Sequence, residues 1–460
     1  MVIMLKSPLF NQGIFQEMAL AAENNSNIDP QLHERFNTKR GLRNSDGTGV
    51  LVGLTAIGDV HSYIMDEQEK IPVEGRLYYR GIEINDLVKG FQKEKRHGFD
   101  EVCYLLLFGQ LPTDEQLNYF KQMVYESRLL PESFTEDMIL KAPSRDIMNQ
   151  LARSVLTCYS YDDNADDTSV SNVLRQSIEL IARMPTLAAY GFQAKEYFFN
   201  NHSLYIHKPR QDLSPSENFL HMIRPDNQYS ELEADILDLN LILHAEHGGG
   251  NNSAFTTHVV SSTNTDTYST IAAAIGALKG SKHGGANIKV MGMMNDIKEN
   301  VKNWDSEREI EDYLVKILRK EVFDRKGLLY GIGHAVYTLS DPRELLLKEK
   351  AGELSREKNM QEEYGLYNLV EKLAPQVLAG VKNITQPIAI NVDFYSGFVY
   401  KMLNIPSDLY TPIFAMARIA GWSAHRIEEI VSGGKVIRPA YKSVRKRRSY
   451  IPLKERQFDS

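Results

Sequence analysis

The sequence predicts an almost wholly α-helical protein that carries a small β ribbon near its N-terminus. Two observations set that class. Apolar residues recur with the helical period from about residue 99 to about residue 430. Short, Gly-bounded runs rich in β-branched and aromatic residues occur only before that point. With 460 residues, 42% of them apolar, the chain can bury a sizeable core.

Residues 1–47 are polar and weakly periodic, the pattern of a partly helical arm. Residues 50–57 and 75–81 predict the two strands of the ribbon. After Asp86 the helical period takes over, and Phe99, Val102, Leu105, Leu106 and Phe108 open the first strong apolar face. Residues 231–247 are apolar on most sides, which predicts a helix inside a large core. Gly280, just after the apolar 271–278 run, predicts a helix stop. Ile310, Tyr313, Leu314, Ile317 and Leu318 follow the amphipathic helix spacing with charges between them. Gly433 and Gly434 predict the end of the last long helix. No internal repeat or low-complexity linker is present.

Charge and cysteine usage narrow the function classes. The net charge of −7 argues against a general binder of nucleic acid. Residues 433–456 nevertheless hold nine basic residues against one acid, leaving 44 basic and 59 acidic residues elsewhere. That local excess is either a solvated tail or a counter-charge for a phosphate-bearing ligand. Two cysteines, Cys103 and Cys158, support neither a disulfide scaffold nor a Cys-based zinc site. No apolar run is long enough to span a bilayer. The first thirty residues carry one basic residue, Lys6, against Glu17, Glu23 and Asp29, unlike a secretory or transit peptide. A cytoplasmic protein with no membrane or nucleic-acid partner is expected.

Chemistry concentrates where histidines meet glycines: Glu246-His-Gly-Gly-Gly-Asn251, Lys282-His-Gly-Gly-Ala-Asn287 and Gly331-Ile-Gly-His334. Glycine removes bulk beside an imidazole, so a ligand or another backbone can come close. The alternative is that each glycine caps a helix and each histidine bonds within a turn. His244, His247 and His258 lack the spacing of zinc peptidases, and no cysteine is near, so no metal site is expected. Asp393, in Asn391-Val-Asp-Phe-Tyr-Ser-Gly397, is either a helix N-cap or an acid–base group. Arg343 closes Ser340-Asp-Pro-Arg343, and Arg438 opens the basic tail. Arg418 lies in an apolar helix, where a guanidinium is costly unless it faces a carboxylate or phosphate. Three arginines and three histidines around one acid suit a small polycarboxylate.

These segments, in this order and at these separations, resemble the citrate synthase family. The long Gly331–Arg343 string is the specific part of the likeness, which spans roughly residues 50–440. The resemblance implies a helical, two-domain subunit in a homodimer. Its small domain would comprise residues 283–386, inserted between large-domain segments 1–282 and 387–460. It further implies that His247, His334, Arg343, Arg418 and Arg438 hold oxaloacetate, Arg438 reaching in from the partner subunit. His283, His334 and Asp393 would form the catalytic set. Ile332 departs from the family, where an aromatic is common, and the tail is unusually basic.

The implied reaction, acetyl-CoA plus oxaloacetate and water giving citrate and CoA, has clear physical demands. A carboxylate of ordinary pKa, about 3.9, is too weak to take a thioester methyl proton unaided. The thioester oxygen therefore needs a hydrogen-bond donor as the enol forms, a role for neutral His283. The ketone oxygen of oxaloacetate needs an acid, a role for His334. Arginine forks fit the carboxylates. No metal or redox cofactor is required. Propionyl-CoA in place of acetyl-CoA, as in 2-methylcitrate synthase, is the nearest alternative, since one methyl is worth only about 1–3 kcal/mol. A non-catalytic tricarboxylate or CoA binder is a more distant one.

Overall fold

Among the described residues the strands form one antiparallel sheet, β1 (Gly58–Asp66), β2 (Glu69–Tyr79) and β3 (Ile82–Glu83), in that order, beside two isolated bridges. Helices make up nearly all the remaining regular structure of this computed structural model, which describes residues 13–44, 48–66, 69–333 and 336–456. The all-helical class with a small N-terminal ribbon is therefore the fold observed.

Contacts divide the chain into two units, Met1–Leu54 and Thr55–Ser460. In the first, the helices Gly13–Ser26 and Pro30–Arg35 bury no residue. Asp29 caps the second of them by accepting from the Gln31 amide at 2.9 Å.

In the second unit the ribbon begins later than its sequence predicts. Gly58 pairs with Tyr79 and Val60 with Leu77, whereas residues 50–57 are not a strand. Three backbone donors there are committed elsewhere: the Val50 amide bonds Leu42 O at 2.9 Å, the Ile57 amide bonds Thr55 Oγ1 at 3.1 Å, and the Ala56 amide bonds Glu428 Oε1 at 2.7 Å. A β-branched run whose amides are committed elsewhere cannot join a ladder.

The helices follow their periodicity. Glu307–Leu318 buries all five of Ile310, Tyr313, Leu314, Ile317 and Leu318. Thr267–Lys279 ends at Gly280, and Tyr410–Ser432 ends at Gly433. The core helix Glu231–His244 starts with a Ser230/Glu233 capping box and stops three residues short of His247. That stop puts His247 in a loop before three glycines. The helix Tyr410–Ser432 runs through the interior, fully burying Arg418, Trp422 and Arg426, and packs on Val170–Asn200, Glu231–His244 and Asn252–Ser261. Ala286–Asn300 and Pro342–Glu357 both pack on Asp393–Met402. No helix among the described residues is long and apolar enough to cross a membrane.

Candidate active site

Backbone pairing first sets the frame. Ile332 and Ile390 form an isolated antiparallel bridge, the Gly333 amide bonds Ala389 O at 2.7 Å, and the Asn391 amide bonds Gly331 O at 3.0 Å. Asn391 Nδ2 also donates to Gly333 O at 2.9 Å. The chain leading into His334 is thus tied to the chain leading into Asp393. His334 itself lies outside the described residues.

Asp393 is the first residue of the helix Asp393–Met402, and Val392 occupies the N-cap position. The amide of Asp393 is taken by Asn391 Oδ1 at 3.0 Å. The Asp393 carboxylate makes no hydrogen bond or ion pair among the described residues, so the helix-cap reading of this residue does not describe its geometry. Burial raises its pKa to about 6, against the pull of Arg343 and, more weakly, Arg418, with Asp341 adding to the rise.

Asp341 organises the neighbouring arginine. It begins the helix Pro342–Glu357, accepts from the Arg343 amide at 3.0 Å, and grips the same guanidinium at Nε, 3.0 Å, and Nη2, 2.7 Å. Its Oδ2 also accepts from the Val392 amide at 3.3 Å, next to Asp393. Burial works against the charge on Arg343, but Asp341 outweighs it and raises the pKa. The Tyr337 ring lies 5.7 Å from the Arg343 guanidinium on one side and 5.6 Å from the His247 ring on the other. His247 and Arg343 therefore flank one aromatic side chain.

Arg418 is fully buried, and its Nε donates to His244 O at 2.7 Å. Its Nη1 and Nη2 are buried with no hydrogen-bond partner among the described residues. Burial lowers its pKa to about 10, although Glu246 supports the charge. Two unpartnered guanidinium nitrogens in the interior are the strongest sign of an anion site here.

His283 stands in the turn between Thr267–Lys279 and Ala286–Asn300. Gly284 permits that turn to press on its surroundings, because a Cβ there would lie 2.6 Å from Leu278 O and 2.9 Å from Thr411 Cγ2. The ring's Nε2 meets Asn251 Oδ1 at 3.1 Å and Ser253 Oγ at 3.2 Å. Trp422 Nε1 donates to the same Oγ at 3.0 Å, and Ser253 Oγ donates to Asn251 Oδ1 at 3.0 Å. An amide oxygen only accepts, so this network assigns the proton to Nε2. Burial, then Arg418, lowers the His283 pKa to about 4, leaving the ring neutral near pH 7.

The site thus draws His283, Arg343, Arg418 and Asp393 into one electrostatic neighbourhood, with His247 beside Tyr337. Arg438 is exposed in the extended tail, where the preceding Ile437 amide bonds Ser262 Oγ at 3.1 Å. His244, His247 and His258 form no ligand set among the described residues; His244 Nδ1 bonds Asn240 O at 2.8 Å. Sequence reasoning missed Asp341, Tyr337 and the Asn251–Ser253–Trp422 support. It also missed Glu246, which is fully buried and bonds His425 Nε2 at 3.0 Å. A Cβ at Gly58 would lie 2.8 Å from Glu246 Cγ, and one at Gly421 would collide with Glu246 Oε2.

Solved structures share this architecture. The citrate synthase of Pyrobaculum aerophilum is 29% identical, with a TM-score of 0.72 over 88% of this chain and 94% of its own. That of Thermoplasma acidophilum, in a ternary complex with carboxymethyl coenzyme A and oxaloacetate, gives 0.73 at 25% identity, over 91% and 99%. The shared fold places the chain among helical enzymes of the transferase class. A family model, citrate synthase C-terminal domain, matches residues 46–440. The chain belongs to the citrate synthase family. The Synechocystis citrate synthase is 33% identical, covering 83% of this chain and 89% of its own length. The 2-methylcitrate synthase 1 of Corynebacterium glutamicum is also 33% identical, covering 84% and 94%.

Proposed function

We propose that this protein is a citrate synthase of the tricarboxylic acid cycle, condensing acetyl-CoA with oxaloacetate and water to give citrate and CoA. The observation that carries this reading is Asp393: a carboxylate with no hydrogen bond among the described residues, its pKa raised to about 6, close to two buried guanidinium groups. Such a group is poised to take a proton near neutral pH.

Oxaloacetate binds through Arg418 Nη1 and Nη2, Arg343, His247 and His334, with Arg438 of a two-fold partner closing the site. Asp393 removes a methyl proton from the thioester. His283 stabilises the enol oxygen with the Nε2 proton that otherwise rests on Asn251 and Ser253. The enol carbon then attacks the ketone of oxaloacetate, and His334 protonates the new alkoxide. Hydrolysis of the citryl thioester releases CoA. No metal or redox cofactor takes part. Residues 283–386 act as the small domain, and closure over the substrates excludes water until hydrolysis.

The test is thiol release from a series of acyl-CoAs in the presence of EDTA. Release that depends on oxaloacetate, with higher kcat/KM for acetyl-CoA than for propionyl-CoA, is expected. The reverse order would assign 2-methylcitrate synthesis, and no release with either thioester would overturn the enzyme reading.

A further inference from the structure

A second polar cluster lies between the helices Asn252–Ser261 and Tyr410–Ser432, built from residues that take no part in the proposed reaction. His258 comes from the first helix. His425, Glu428 and Glu429 come from one face of the second, at i, i+3 and i+4. His258 Nδ1 meets Glu429 Oε2 at 2.8 Å, and His425 Nε2 meets Glu246 Oε1 at 3.0 Å. Carboxylates accept hydrogen bonds, so these two outer nitrogens carry protons. The two inner nitrogens, His258 Nε2 and His425 Nδ1, face each other at 3.1 Å. In neutral rings both would present lone pairs, so a positive charge must sit between them.

Glu428 supplies the third element. Its Oε1 accepts from the Ala56 amide at 2.7 Å. Its Oε2, 3.8 Å from His425 Nδ1, is buried without a hydrogen-bond partner among the described residues. The three inward atoms lie within 4.8 Å of one another. The His258 and Glu428 side chains keep 12% and 15% of their surface exposed, which leaves a way in from solvent. Imidazoles held from behind by carboxylates, with a further carboxylate oxygen in front, are the usual arrangement around zinc. Two nitrogens 3.1 Å apart can share one ion at bonds of about 2.0–2.2 Å once both rings turn from their mutual contact and the Glu428 carboxylate swings inward.

We propose that His258 Nε2, His425 Nδ1 and Glu428 Oε2 bind a first-row divalent cation, zinc by preference, with Glu429 and Glu246 orienting the two rings. The rival occupant is a single shared proton. Burial disfavours a charged His425, but Glu246 and Glu428 bring its pKa up to about 9. A shared proton leaves Glu428 Oε2 with only a 3.8 Å ion pair to His425 and no hydrogen bond among the described residues, whereas a metal ion would take up all three atoms.

The experiment uses the whole chain, stripped with EDTA and exchanged into chelator-free buffer. Zn2+ is titrated against a chromophoric chelator, bound metal is counted after gel filtration, and melting is followed with and without Zn2+. The expected result is one ion per chain and a raised melting temperature. His258→Gln and Glu428→Gln should each weaken binding more than tenfold and abolish the thermal shift. Glu429→Gln, which keeps an acceptor for His258 Nδ1, should weaken it roughly tenfold to hundredfold. Should His258→Gln fail to fold, Glu428→Gln carries the test, since its amide oxygen can still accept from Ala56. Wild-type protein that takes up no stoichiometric zinc overturns the proposal in favour of the shared proton. Variants that bind as tightly as wild type overturn it as well.

Discussion

Arg418→Met separates a ligand-binding role from a structural one, because the two predict opposite signs. Among the described residues the fully buried wild-type guanidinium makes one hydrogen bond, through Nε, and Nη1 and Nη2 have no hydrogen-bond partner. Burial brings its pKa from 12.5 to about 10, which corresponds to about 3 kcal/mol against the charged form. Methionine retains an apolar stem next to the Phe414 ring, 4.8 Å from the guanidinium, and removes the charge. Loss of the bond to His244 O returns about 1 kcal/mol of that gain. The free variant should therefore melt no lower than wild type. Oxaloacetate, in contrast, loses a charge-assisted fork in a dry site, about 2–5 kcal/mol, so Kd should rise from about 30-fold to several-thousandfold. Thermal melts with and without oxaloacetate, and calorimetric titration, read both quantities. A variant that melts several degrees lower yet keeps the oxaloacetate-induced shift would refute the reasoning.

The remaining expectations concern Asp393 and Arg438. Asp393→Asn should bind oxaloacetate normally while kcat falls about 10²- to 10⁴-fold and proton exchange from the acetyl methyl disappears. In the wild type, kcat/KM should fall as pH drops through about 6, since the base works only when ionised and burial has raised its pKa to that value. A rate flat from pH 7 to pH 5 would remove Asp393 from the role. If Arg438 acts across a two-fold axis, mixing inactive Asp393→Asn and Arg438→Ala chains should restore about a quarter of wild-type activity, because half the dimers then hold one intact site. Doubly tagged, isolated heterodimers, each with one intact site of two, should then show about half. Folded heterodimers no more active than either parent would show that Arg438 serves its own subunit.

Features set by local sequence were legible in advance. The periodic face of Ile310–Leu318 and the stops at Gly280 and Gly433 need only neighbours within a few turns. The costly burial of Arg418 was legible for a related reason, since its charge sits among apolar residues of one helix. The first strand was misplaced because residues 50–57 have the right composition, while the amides of Ala56 and Ile57 are claimed by Glu428, 372 residues away, and by Thr55. The extent of the helix ending at His244 was overestimated because apolar character alone does not mark where a chain leaves the core. Asp341 and the Glu246–His425 pair were invisible to pattern. Asp341 grips Arg343 two residues on but also reaches Val392 across 51 residues, and the pair meets across 179. Asp393 was ambiguous by sequence, and the helix start, with Val392 at the N-cap and no side-chain cap, removes the cap reading.

The seat of Glu246 has a bearing on how this protein can be recombined. Its side chain fits only because positions 58 and 421 carry no Cβ: one at Gly58 would lie 2.8 Å from Glu246 Cγ, and one at Gly421 would lie 2.5 Å from Ala245 O as well as striking the carboxylate. Three short stretches, spread from the ribbon to the last long helix, therefore form one unit of inheritance. A segment exchange with a relative that brings a larger residue to either glycine position, or a crossover that separates them from an acidic residue at 246, breaks a steric agreement no single segment contains. Viable hybrids would be those whose junctions leave all three positions matched, wherever else they are cut.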